Sequence, residues 1–343
     1  VKASIANFNF SGLGTSDEGK ISLQGLTFNT VEEGEPINIA LGGFTITGKS
    51  QPLKDLASFM ENANSDEESS EDMAMKAYSN LLANYGSNPP YETISITDFS
   101  ANIAGVNVKM PELAGNVKRN GAGQATEIIT KPMTFTVDIE TDSELGSMAA
   151  PYLSELGYEE FTFTSAGRTI IDPEKDQMII KASENYFGLK DGFKFSMGYT
   201  ASGYTDMLKN QADMYKDAPQ DMDGMAALSV LEPLRFSEME LIFKDMSFYD
   251  RVLKLAASQT GQEVDTLRQQ VSASVTMLPL LAAQSGVDGD LITELSTALG
   301  TFLAEPDTLT LKLNPETPVT ISELLDAPDS MTKERLGFTA SAE

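Results

Sequence analysis

The stretch Phe193-Lys194-Phe195-Ser196-Met197-Gly198-Tyr199-Thr200 carries a large apolar residue at every second position, with polar or small residues between. A period of two is that of a β-strand with one buried face and one wet face. Phe161-Thr-Phe163-Thr repeats the pattern, and Met178-Ile-Ile180-Lys-Ala182-Ser follows it more loosely. The connections Asp172-Pro-Glu-Lys-Asp176 and Leu189-Lys-Asp-Gly192 carry turn chemistry. Proline fixes one dihedral, aspartate mimics a turn hydrogen bond and glycine accepts positive φ. Tyr158–Thr200 therefore reads as an antiparallel meander.

Toward the N-terminus the pattern recurs in short runs: Phe8 and Phe10, Ile21 and Leu23, Leu26 and Phe28, Ile37–Leu41, and Phe44-Thr-Ile46. Glycines, Gly25, Gly42 and Gly48 among them, punctuate these runs as turns or bulges do. Gly12-Leu-Gly14 lacks the third glycine and the following helix of a dinucleotide loop. Pro52 opens a helical stretch with Leu53, Leu56 and Met60 on one face. Glu61–Asp72 then holds six acids in twelve residues, a solvated loop without EF-hand spacing. Met73, Ala77, Leu81 and Tyr85 form a second helical stripe. Strands resume at Thr93–Ile96, Phe99–Ile103, Val106–Val108 and Thr134–Ile139, and a boundary falls in Thr141–Ser147.

Beyond the boundary, Met148–Leu156 reads as a short helix ahead of the meander, and Tyr204, Met207, Leu208, Gln211 and Tyr215 suggest another after it. Asp221-Met-Asp223-Gly224 matches only the middle of a calcium loop, because Pro219 and Val230 occupy its two end positions. Pro233 leads into a strand over Leu234–Lys244, as Pro90 leads into Tyr91–Phe99, an echo that suggests an internal repeat. Helical stripes follow at Phe248–Ala256, at Val264, Leu267, Val271, Val275 and Leu278, and at Leu291–Phe302. Asp288 or Asp290 would cap the last of these. Thr308–Leu313 closes as a strand, and Phe338-Thr-Ala adds a short edge strand.

Composition bounds the function. The chain has 343 residues, 24 basic and 51 acidic side chains, and no Cys, His or Trp. A net charge of −27 leaves no basic footprint for nucleic acid and disfavours anionic lipid headgroups. Without Cys or His there is no disulfide, no thiolate or imidazole metal site, and no Ser-His-Asp triad. No cofactor is implied, and oxygen ligands would hold calcium only loosely. The longest apolar run, Met277–Ala283, is far short of a bilayer span. No basic and apolar leader stands at Val1, as would also be true of a processed export substrate.

Three features of the sequence bear on chemistry. Glu159 and Glu160 are adjacent, so on a strand they point to opposite faces and make a poor acid–base pair. Ser330-Met-Thr-Lys333 has the serine–lysine spacing of some acyl enzymes but neither companion motif. Sixteen methionines, many near the expected helices, suit irregular cores or an adaptable apolar groove.

Leu156-Gly157-Tyr158, the Asp-turn meander, Phe248-Tyr249-Asp250-Arg251 and Phe302-Leu-Ala-Glu-Pro306 followed by Leu309-Thr-Leu and Pro315-Glu-Thr-Pro318-Val resemble an uncharacterised group of extracytoplasmic alphaproteobacterial proteins. More loosely, the repeated meanders resemble AsmA-like periplasmic proteins. The resemblance covers roughly Leu153–Val319 and implies a periplasmic or envelope location and a lipid link. It carries over no catalytic residue.

The expectation is an α+β protein of antiparallel meanders packed against helices, in two related halves. Residues 1–145 would form an N-terminal meander with a helical insertion. Residues 146–343 would form a second meander with a helical bundle and closing strand. The expected role is a non-catalytic binding protein for a lipid or other amphipathic ligand, with the groove at Met239, Leu241 and Phe243. The alternatives are a self-assembling subunit of a cell-envelope or surface structure and a carboxylate-based hydrolase. Phe193–Tyr199 is expected to be closed over by the helix bearing Val271, Val275 and Leu278.

Overall fold

The computed structural model describes residues 2–15, 17–32, 35–51, 53–54, 57, 88–217, 229–282, 287–326 and 331–343. Leu56, Met60, the acidic run 61–72, the Met73–Tyr85 stripe, the partial calcium loop at 221–224 and Ser330 lie outside the described residues.

A single antiparallel sheet of fifteen strands organises the described chain. Strands β1 (Lys2–Ser4) and β2 (Asn7–Ser11) share one edge, both paired to β3 (Glu18–Glu32). Then follow β4 (Glu35–Lys49), β5 (Thr93–Ile103), β6 (Val106–Arg119), β7 (Ala125–Ile139) and β8 (Phe161–Asp172). The sheet continues through β9 (Gln177–Ile180), β10 (Tyr186–Leu189), β11 (Phe193–Ser202), β12 (Arg235–Asp245), β13 (Thr308–Leu313), β14 (Val319–Thr320) and β15 (Thr339–Ala342). Neighbours in sequence are mostly neighbours in the sheet, as short turns between antiparallel strands dictate.

Helix α1 (Glu144–Leu156) bridges β7 and β8, and α2 (Tyr204–Asp217) follows β11. Four helices separate β12 from β13: α3 (Phe248–Thr260), α4 (Val264–Thr276), α5 (Leu278–Ala282) and α6 (Gly289–Ala304). The short α7 (Ile321–Asp326) and α8 (Lys333–Leu336) precede β15. Ser143 starts α1 by accepting a hydrogen bond from the Gly146 amide at 2.9 Å, and Gly157 ends it in the left-handed region at φ 70°. Asp288 caps α6, accepting from the Asp290 amide at 2.9 Å. The sheet runs through the expected boundary, because β7 and β8 pair directly while α1 loops out between them.

The N-terminal runs that looked like separate short strands are halves of long ones. Ile21–Leu23 and Leu26–Phe28 both belong to β3, and Ile37–Leu41 and Phe44–Ile46 both belong to β4. The break in alternation between the halves is a phase shift within the strand. Gly25 lies in the left-handed region at φ 63°, Asp98 does the same in β5 at φ 51°, and in β7 Lys131 and Pro132 oppose the single residue Ala166 of β8. Of these, the β7 position is a bulge that adds one residue, whereas at Gly25 and Asp98 the ladders keep their register across the change of phase.

The result is one apolar face along the whole sheet. Phe28, Ile39, Ala101, Val108, Val137 and Phe161 form a cross-strand row over six strands. Val117, Ile128, Thr169, Ile180 and Tyr199 form a second row. Phe161 and Thr169 are an even step apart on β8, so the two rows share a face. The opposite face carries the row Asn29, Asn38, Asn102, Asn107 and Asp138. There Asn102 Nδ2 donates to Asn107 Oδ1 at 2.8 Å and to Glu140 Oε1 at 2.7 Å.

Among the described residues, helices cover part of the apolar face at three clusters. Leu53 and Ala57 bury Ile21 and Ile46. Tyr204 and Leu208 of α2 bury Val117, Ile171 and Met178. Leu291 and Leu295 of α6 pack on a cluster of Ala201, Leu234, Phe236, Val319, Met331, Leu336 and Phe338.

Candidate functional site

Between these clusters lies a part of the apolar face that no buried cluster of the described residues covers. Phe187 is 39% exposed, Phe195 38% and Met197 40%, although all three sit on the face that is buried elsewhere. The Phe28–Phe161 row continues this surface toward β3, and none of its large side chains belongs to a buried cluster. Aromatic rings tile the floor. Phe135 stacks on Phe163 at 5.0 Å, Phe163 on Phe187 at 5.4 Å, and Phe193 on Phe243 at 5.7 Å.

Alternation puts Met239, Leu241 and Phe243 of β12 on this same face, paired to Tyr199, Met197 and Phe195. The three are half-buried and differ in surroundings. Met239 packs against the α6 cluster, and the Phe243 ring meets Phe302 of α6 edge-on at 5.8 Å. Leu241 faces Met197 across the strand pair and so borders the open floor. The residues that sequence reasoning missed are Phe187 and the Val108 row. Tyr186–Leu189 is too short for a periodic signal, and the alternation in the Val108 row shows an apolar side without showing what lies over it.

The expected closure over Phe193–Tyr199 is corrected by the position of α4. That helix packs on α6, α3 and α5, and none of its residues is buried. The stripe that reaches Leu278 in the sequence is divided between two helices, with Pro279 in the first turn of the separate α5. What does reach Phe193 is Phe248, the first residue of α3, with ring centroids 5.1 Å apart.

Polar chemistry gathers where α1, β12 and α3 meet, at the end of the floor. Asp245 is buried and accepts from the Tyr249 amide at 2.9 Å, capping α3, and burial raises its carboxyl pKa. Arg251 donates to the carbonyls of Leu156 at 2.6 Å and Gly157 at 3.0 Å, and its guanidinium lies 4.6 Å above the Tyr158 ring. Tyr158 Oη is buried without a hydrogen-bond partner, and burial raises its pKa. Asp245 and Arg251 are thus both engaged in holding helices.

The other candidates resolve similarly. Glu159 and Glu160 are exposed in the link before β8. Lys333 pairs with Glu294 at 2.5 Å, and Thr332 caps α8. The Ser50 hydroxyl, beside a polar cleft of about 600 Å³, donates to the Gly12 carbonyl at 2.7 Å and accepts from the Gly14 amide. Among the described residues no group of three or more Asp or Glu side chains converges as a metal site. No helix among them is long and apolar enough to cross a membrane.

A family model described only as an uncharacterized protein matches residues 186–343, from β10 to the last residue given. No curated protein matches the chain.

Proposed function

We propose that the chain is a non-catalytic binding protein that carries a lipid or another amphipathic molecule along the open apolar face. The observation that carries this reading is the exposure of Phe187, Phe195 and Met197 on a face that three helical clusters bury elsewhere. Contiguous apolar surface of that kind marks a ligand or partner site in a soluble domain. The reading includes an extracytoplasmic or periplasmic setting and a likeness to AsmA-like proteins, supported by the motifs between Leu153 and Val319. It also treats the chain as two related halves on one sheet, with Pro90 and Pro233 each leading into a long strand. Native mass spectrometry of gently purified protein tests the carrier reading. Co-purified lipid is the expected result, and a ligand-free species forming defined oligomers would overturn it.

The second reading, a subunit of an envelope or surface assembly, is favoured by one observation. The outer edge formed by β1 and β2 leaves Ile5 53% and Phe8 42% exposed beside unpaired backbone groups.

A further inference from the structure

Where α4 gives way to the short α5, the described residues leave an apolar apex exposed. Met277 is 53% exposed, Leu280 63% and Leu281 56%. Helix α4, which carries the apex, has no buried residue. The surrounding sequence is equally unusual for this chain. From residue 269 to residue 287 there is no charged side chain, in a protein with 22% charged residues and a net charge of −27. Arg268, nearer the start of α4, is held by Asp250 at 2.8 Å.

We propose that this apex is a membrane-docking tip that enters the interfacial region of an electroneutral bilayer. Three side chains on one short turn present far less area than a stable protein–protein interface requires. A bilayer asks only for a few apolar side chains at headgroup depth. Charge selects among bilayers. An anionic surface repels a −27 protein, whereas a zwitterionic surface does not, and an uncharged tip crosses it without desolvating a charge. The tip belongs to the α4–α6 helical layer and is separate from the open sheet face, so it stands whether or not that face carries lipid.

The absence of Trp from the chain makes the test direct. Leu280→Trp places the only indole at the apex, and Met148→Trp, at a 59% exposed position on α1, is the control. With phosphatidylcholine vesicles the Leu280→Trp emission should shift to the blue, while the Met148→Trp emission should not. The shift should persist at high salt, because apolar insertion is not screened. Vesicles containing phosphatidylglycerol at low salt should give a smaller shift. Leu280→Asp with Leu281→Asp, both at exposed positions, should abolish co-flotation with phosphatidylcholine vesicles at unchanged thermal midpoint. No shift at saturating phosphatidylcholine, an equal shift in the control, or stronger binding to anionic vesicles would each overturn the proposal.

Discussion

The guanidinium of Arg251 donates to the carbonyl of Leu156 at 2.6 Å, across 95 residues of sequence. The same side chain reaches Gly157 and the Ser247 hydroxyl, at 3.0 and 2.8 Å, and covers the Tyr158 ring. It places a positive charge on the last carbonyls of α1, where the helix dipole favours one. The contact fixes α1 against α3 at the end of the apolar floor.

Arg251→Ala should therefore lower stability by about 1–3 kcal/mol, the range for losing charge-assisted hydrogen bonds to partly buried carbonyls. Arg251→Lys should recover only part of this, because an ammonium cannot fork to several acceptors and stack on the ring at once. Urea midpoints of the two variants check the order.

Two phenylalanines on neighbouring strands distinguish open from closed surface. Phe236 is 6% exposed in the α6 cluster, and Phe236→Ala should cost about 3–5 kcal/mol. Phe195 is 38% exposed, so Phe195→Ala should cost clearly less, about 1–2 kcal/mol. Equal losses in parallel denaturation experiments would mean that the floor is closed.

Tyr204 sets an alkaline limit. Burial pushes its phenol from 10.0 to about 12, and burial also raises Tyr91 and Tyr199. The folded chain then holds a proton that the unfolded chain releases. The contribution is complete below pH 10 and is lost as pH rises toward 12, amounting to roughly 3 kcal/mol. Tyrosinate absorbance should rise together with loss of circular dichroism, and Tyr204→Phe should move that transition to higher pH.

Gly203 joins β11 to α2 at φ 84°, and a Cβ there would lie 2.2 Å from the Pro233 carbonyl oxygen. Gly203→Ala combines a strained backbone with a clash against main chain. The variant should lose α2 from the Val117 cluster, seen as faster amide exchange in Tyr204–Asp217 ahead of the sheet.

The parts of this fold that sequence made legible are those with unbroken period. Phe193–Thr200 and Thr308–Leu313 are strands, the stripe from Leu291 to Phe302 is α6, and of its two candidate caps, Asp288 and Asp290, Asp288 accepts the hydrogen bond. The long strands look like pairs of short runs in sequence because Gly25 and Asp98 change the alternation without ending the ladder. Alternation also identifies the apolar side of a strand but not what lies over it. Phe195 and Phe243 look equivalent in sequence, yet Phe302, 59 residues beyond Phe243, covers only the latter. The Val264–Val275 stripe likewise revealed an apolar side whose partner proved to be α6 and not the sheet.

The most direct test of the open face is photo-crosslinking with a diazirine-bearing fatty acyl chain, mapped by peptide mass spectrometry. The carrier account predicts labels on peptides containing Phe187, Phe195 and Met197, with further labels at Val108 and Val137. It also predicts that Phe195→Asp removes the first group while the protein stays folded. Labels confined to Lys2–Ser11 and Met277–Ala282, or no label at saturating probe, would contradict it.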